Sequence, residues 1–166
     1  MKAELEDIGL CAKKPKPDRG IDLVVTLPGT EEPVVKIQVK GRGANQKNKR
    51  YRWFQIRTTE AQRKRAVADG IPVEDTWEKK VRLCDFFVLV AEKYDEFWVL
   101  PQSVVIEIGR INRKVYGNRA DNRSGQQAEL DLDIEKDGKP LADIYSEYKN
   151  AFSLIEQELW NRIQQP

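Results

Sequence analysis

The chain has 166 residues, 40% of them hydrophobic and 34% charged, with a mean hydropathy of -0.66 and a net charge of +2. That composition supports one core beneath a heavily charged surface and excludes disorder throughout, and no apolar run approaches the ~18 residues that a membrane-spanning helix needs. Histidine is absent and only Cys11 and Cys84 are cysteines, which excludes His-based nucleophile systems, His-containing zinc sites and a disulfide framework.

Residues 3–10 read as the tail of a helix closing near Gly9, so the chain begins within an element and an upstream piece is expected. The acidic start Met1-Lys2-Ala3-Glu4-Leu5-Glu6-Asp7 lacks the charge order of a secretory signal, and a cytoplasmic protein is expected. After Pro15, Pro17 and Gly20, residues 21–27 form a strand ending at Pro28-Gly29, and residues 34–40 form a second strand that pairs with it as a hairpin. Residues 51–58 give a third strand. A helix over 59–68 follows, with Thr58 or Thr59 as its cap. The apolar run 81–91 predicts a strand buried on both faces, and residues 96–100 another before Pro101. Residues 102–116 lean to helix with Ser103 as a cap, and 118–127 read as a polar loop.

Residues 128–134 alternate strictly, which predicts a half-exposed strand with Glu129, Asp131 and Asp133 on its wet face. From Leu141 to Ile163 apolar residues recur at helical spacing, predicting one long amphipathic helix. It serves as core cover or as the interface of a homodimer or higher homo-oligomer. One domain over 1–166 is expected, its core about 1–101 and its C-terminal strand and helix about 128–163. Both cysteines read as small buried hydrophobes.

Charge is segregated along the chain. Between Lys36 and Arg65 eleven basic residues face Glu60 alone, a net of +10 that leaves -8 for the remainder. Such a block is what a polyanion-binding surface requires, because each phosphate neutralised releases counterions. Amides and aromatics are interleaved with the cations, which makes Arg42, Lys47, Lys49, Arg50, Arg52 and Trp53 the candidate nucleic-acid contacts.

Strand alternation puts Gln38 and Lys40 on one face and Ile37 and Val39 on the other. If the hairpin pairs as expected, the carboxylate of Asp22 approaches Gln38 and Lys40. The Asp22 carboxylate, the Gln38 amide oxygen and the Val39 carbonyl then offer hard ligands to Mg²⁺ or Mn²⁺, with water and a phosphate completing the shell. Lys40 stands beside them, able to hold a water and offset charge at phosphorus.

The run Pro17-Asp18-Arg19-Gly20-Ile21-Asp22 followed by Gln38-Val39-Lys40 resembles the PD-(D/E)xK nuclease superfamily, in its Gln-x-Lys variant. The resemblance extends to about Leu100. It implies a restriction-endonuclease-like α/β fold, an αβββαβ core whose mixed central sheet is flanked by helices, with a C-terminal helix added. It also implies a Mg²⁺-dependent DNA endonuclease of restriction or homing type, with Asp22, Gln38 and Lys40 in the catalytic set. Asp18 competes with Asp22 for the family's Asp. The family's helix Glu falls to Glu4, or to a position preceding Met1. Two other readings stand beside this one: a nucleic-acid-binding module of the same fold without catalysis, and a protein-interaction domain pairing basic and acidic halves.

Overall fold

The computed structural model describes residues 2–16, 20–45, 47, 49–117 and 119–164. In chain order the elements are α1 (Lys2–Asp7), β1 (Cys11–Lys13), β2 (Leu23–Thr26), β3 (Val35–Arg42), β4 (Trp53–Arg57), α2 (Glu60–Ala68) and α3 (Thr76–Val81). They continue as β5 (Phe86–Ala91), β6 (Glu96–Pro101), α4 (Gln102–Tyr116), α5 (Ala120–Arg123), β7 (Gln127–Asp131), the short hairpin β8 (Glu135–Lys136) and β9 (Lys139–Pro140), α6 (Leu141–Ile144) and α7 (Ser153–Gln164).

The architecture is a mixed five-stranded sheet in the order β1-β2-β3-β5-β6, flanked by helices on both faces, with a C-terminal helix. Only β3 and β5 run parallel. Its three-strand antiparallel part is made by β1, β2 and β3, whereas the expected third strand, β4, leaves this sheet and pairs with β7 in a second one. The alternation of β5 explains how the layers are held. Phe86 and Val88 point into a core with Leu5, Val25, Ile37, Ile155 and Leu159, while Phe87 and Leu89 point into another with Trp77, Val105, Ile108, Ile56 and Leu130. A strand apolar on both faces is thus buried on both, as its sequence predicts.

Several boundaries differ from expectation for identifiable reasons. The strand expected over 81–91 starts only at Phe86, because Val81 closes helix α3, where Trp77 and Val81, four apart, both bury their side chains. In α2 the cap is Thr59, whose hydroxyl accepts from Gln62 N while Gln62 Oε1 accepts from Thr59 N. Helix α4 starts at Gln102 behind Pro101, so Ser103 is inside it and does not cap it. The polar loop holds α5. Cys84 is buried, Cys11 only half so.

The acidic face of β7 is not wet: Glu129 is fully buried and Asp131 4% exposed. Arg119 reaches Glu129 at 2.9 Å, and Asp131 accepts from Arg50 and from the Tyr116 hydroxyl. Alternation identifies side chains that share a face, but the cations that make such a face dry come from elsewhere in the chain.

The long C-terminal helix is also broken. Leu141 and Tyr145 belong to the core on one face of the sheet, Ile155 and Leu159 to the core on the other. The chain changes face around the edge strand β6, where Asn150 N donates to Phe97 O at 2.7 Å and Phe97 N donates to Asn150 Oδ1 at 3.1 Å. Asn150 takes φ 55° there. One straight helix cannot serve two faces of one sheet.

Glu96 anchors this crossing. It is 4% exposed, accepts from Arg52 at 2.7 and 2.8 Å and from Lys149 Nζ at 2.7 Å. Burial alone would raise its pKa, but these charge-assisted bonds hold it at about 2, against an ordinary 4.5. The stability this contributes is complete above about pH 4.5 and disappears as pH falls through 2. It amounts to on the order of 2 kcal/mol. Unfolding free energy measured between those pH values should fall more steeply for the wild type than for Glu96→Gln.

A second prediction concerns close packing. A Cβ on Gly109 would lie 2.4 Å from Trp77, whose ring is wholly buried. Gly109→Ala removes a helix penalty of about 1 kcal/mol, yet should lower stability by about 1–3 kcal/mol through overpacking, read as a lower denaturant midpoint.

Candidate active site

The site is built by the pairing of β2 with β3. Leu23 lies opposite Ile37, and just ahead of the ladder Asp22 N donates to Ile37 O at 2.9 Å, which fixes Asp22 at the end of the pair next to Gln38. Val35, Ile37 and Val39 supply the core on one face of β3, so Lys36, Gln38 and Lys40 share the other. Gln38 Nε2 donates to Asp22 Oδ2, and the same oxygen accepts from Val39 N at 2.7 Å. Gln38 is only 6% exposed, while Asp22 is half-buried. Asp22 and Gln38 therefore meet, but through Gln38 Nε2 and the Val39 N–H rather than through the expected Gln38 oxygen and Val39 carbonyl, with Lys40 one pleat further along the same face.

Two features hold the entrance. Gly20 has φ +86°, a left-handed conformation that disfavours side chains, and places its backbone where a Cβ would sit 3.9 Å from Gln38 Oε1. Cys84 Sγ lies 3.7 Å from Gly20 O, and burial, with Asp85 and Asp22 nearby, pushes its thiol up to about 12, so it is inert at neutral pH.

Both protein N–H bonds to Asp22 fall on Oδ2, and among the described residues Oδ1 accepts none. Oδ1 is thus an anionic oxygen at the mouth of the site. A hard divalent cation fits this donor set with one carboxylate and the rest of its shell from water and phosphate. Sharing it with Gln38 requires the amide to turn so that Oε1, rather than Nε2, faces Asp22. Among the described residues no group of three or more acidic or sulfur ligands exists. Glu4 lies on α1 next to Leu5, which packs in the core with Val25 and Ile37, and the hydrogen bonds of Asp22 run to Gln38 and Val39 rather than to Glu4. Asp18 lies outside the described residues.

A solved structure described as a bacterial homing endonuclease, I-Ssp6803I, superposes with a TM-score of 0.51 at 20% identity, over 99% of this chain and 88% of that one. At that identity the likeness is one of fold. No family model and no curated protein matches the chain. No helix among the described residues is long and apolar enough to cross a membrane.

The expected nucleic-acid contacts separate into two kinds. Arg50 is held by Asp131 and Tyr116, and Arg52 by Glu96 and Asp133, so their charges are balanced inside the fold. Arg42 and Arg50 both stack on Trp53, 4.7 and 4.8 Å from its ring centre, and Arg42 Nε donates to Arg50 O. Lys47 and Lys49 are exposed. The interleaved Gln46 and Asn48 lie outside the described residues.

Sequence reasoning missed Lys80. It projects from α3, donates to Arg57 O, and lines a groove that begins at Gly20 and Ile21 beside Asp22. Burial first, and then the Lys40 ammonium, lower its pKa, while Cys84 and Asp22 oppose them. The sequence reading gives residues 73–80 no element, and the i, i+4 pair Trp77 and Val81 is the signal that puts Lys80 on a helix.

The pairing of Asp22 with Gln38 has a direct test. Gln38→Glu would put two carboxylates face to face, a repulsion of about 4 kcal/mol for unit charges 4 Å apart at an effective dielectric near 20. The variant should melt below the wild type in EDTA at pH 8 and regain stability with millimolar Mg²⁺, by binding to the native state alone. Equal melting in EDTA would mean the two side chains do not face each other.

Proposed function

We propose that this protein is a metal-dependent DNA endonuclease of homing or restriction type, with a PD-(D/E)xK site in its Gln-x-Lys form. The observation that carries the reading is Asp22 joined to Gln38 and to Val39 N across the β2–β3 pair, with Lys40 next on the same face. The homing-endonuclease likeness of the whole fold supports it. In this reading Asp22 and the oxygens of Gln38 and Val39 hold Mg²⁺ or Mn²⁺, which when bound neutralises phosphate charge and lowers the pKa of a water. Asp22 orients Gln38 and fixes the β3 backbone through Val39 N. Lys40 presents an ammonium to the attacking water and to the phosphorane oxygens as their charge grows. Glu4 is proposed no further than as the helix carboxylate the family supplies.

A second reading, a nucleic-acid-binding module without catalysis, is favoured by one feature: among the described residues the site gathers a single carboxylate, Asp22, and Gln38 turns its NH₂ to it. Supercoiled plasmid decides between them. Nicking or linearisation in Mg²⁺ or Mn²⁺, abolished by EDTA, is expected. Asp22→Asn and Lys40→Ala should lose it by at least about 100-fold while still shifting DNA in a gel. Wild-type protein that binds DNA but never cuts it in either metal establishes the binding module, and cutting by Asp22→Asn at the wild-type rate moves the site elsewhere.

A further inference from the structure

Beside Asp22 opens a groove of about 830 Å³, walled by β3, α2 and α3. Lys36, Arg65, Lys79, Lys80 and Arg82 line it, and among the described residues none of its lining side chains is acidic. Two of these cations come from the +10 block and three from α3 and the residue after it, so three separate segments converge on one trough. Lys80 donates to Arg57 O, and the other four are lightly restrained. Lys36 and Arg65 are exposed, and Arg82, 57% exposed, reaches Glu78 only at 3.6 Å. Lys79 pairs with Asp69 at the surface, and exposed pairs of that kind exchange readily with a phosphate. The contrast with Arg50 and Arg52, whose partners Asp131 and Glu96 are buried, is sharp.

Five cations in a lining without an acid exceed what one small anion requires, and the trough is half open to solvent. A chain of phosphates fits both facts, because it meets successive cations and releases a counterion at each. We propose that this groove, with Lys80 at its inner end beside Asp22 and Arg65 and Arg82 along it, seats the phosphate backbone of duplex DNA. The inference rests on the endonuclease reading above and adds where the substrate lies: along α2 and α3, not along the stretch around Arg50 and Arg52. Lys80 is then a positioning residue, its ammonium facing the phosphate next to Asp22 and Lys40, where the field of Lys40 already disfavours a second cation unless an anion lies between them.

The test is binding of a fluorescein-labelled duplex by anisotropy in EDTA, where no cutting occurs, with salt raised from about 50 to about 200 mM. The Arg65→Ala/Arg82→Ala double variant should lower the slope of log K against log [salt] by about 0.9 for each phosphate left without its cation, near 1.8 for the two arginines together. Lys80→Met should lower it by about 0.9. Lys139→Ala, on β9 and outside the groove lining, should leave it unchanged. Melting temperatures report whether each variant folds, and Arg65→Gln/Arg82→Gln replaces the double variant if it does not. Unchanged slopes in folded groove variants overturn the groove whether or not the protein cuts DNA. Reduced slopes with a wild type that cuts in no metal keep the groove and overturn the endonuclease reading. Failure of the wild type to bind the duplex at about 50 mM salt overturns both.

Discussion

Strand β3 has to be two things at once. Its Val35, Ile37 and Val39 close a core, and the same backbone turns Lys36, Gln38 and Lys40 to the opposite side. The pleat makes the two inseparable: a one-residue slip against β2 would send Gln38 into the core and Ile37 toward Asp22. The hydrophobic face therefore sets the register of the polar one, and Asp22 meets Gln38 because Leu23 must meet Ile37. Parallel pairing with β5 locks the other edge of the strand, with Gln38 beside Phe87 and Lys40 beside Leu89. Precision at the site is borrowed from packing, which is where a small protein has rigidity available.

The positive charge of the chain is divided between two duties. Arg50, Arg52 and Arg119 are consumed by Asp131, Glu96 and Glu129, buried acids that would otherwise be severely destabilising. These pairs tie the second sheet, β4 with β7, to β6 and to the start of α5, so they act as fasteners between layers. Lys36, Lys47, Lys49 and Arg65, by contrast, lie at the surface. A charge count along the sequence cannot make this division, since the acids that claim Arg50 and Arg52 lie 44 or more residues away.

That locality explains what could be read from residues alone. The Asp22, Gln38 and Lys40 grouping was legible because a hairpin is a short-range structure whose register follows from alternation. Buried β5 and the capped α2 were legible for similar reasons, one through a continuous apolar run and the other through Thr59 and Gln62 three residues apart. Helix α3 was not, because Glu78, Lys79 and Lys80 mask a pattern of just two buried apolar residues. The dry acids of β7 and the break at Asn150 depend on partners fixed only by tertiary structure. Both share a cause: an amphipathic pattern states that a surface is divided, and the fold decides what lies against each half.

The crossing around β6 bears on more than the C-terminal helix. A five-stranded open sheet has two rows of unpaired backbone groups, and both are handled here. On one side β1 is three residues long and ends at Lys13; on the other, the main chain at Lys149 and Asn150 occupies the outer rim of Trp98 and Phe97. Neither rim presents a long flat template to another copy. Copies of the chain are thereby kept from joining edge to edge through this sheet, and contacts between them fall to its other surfaces.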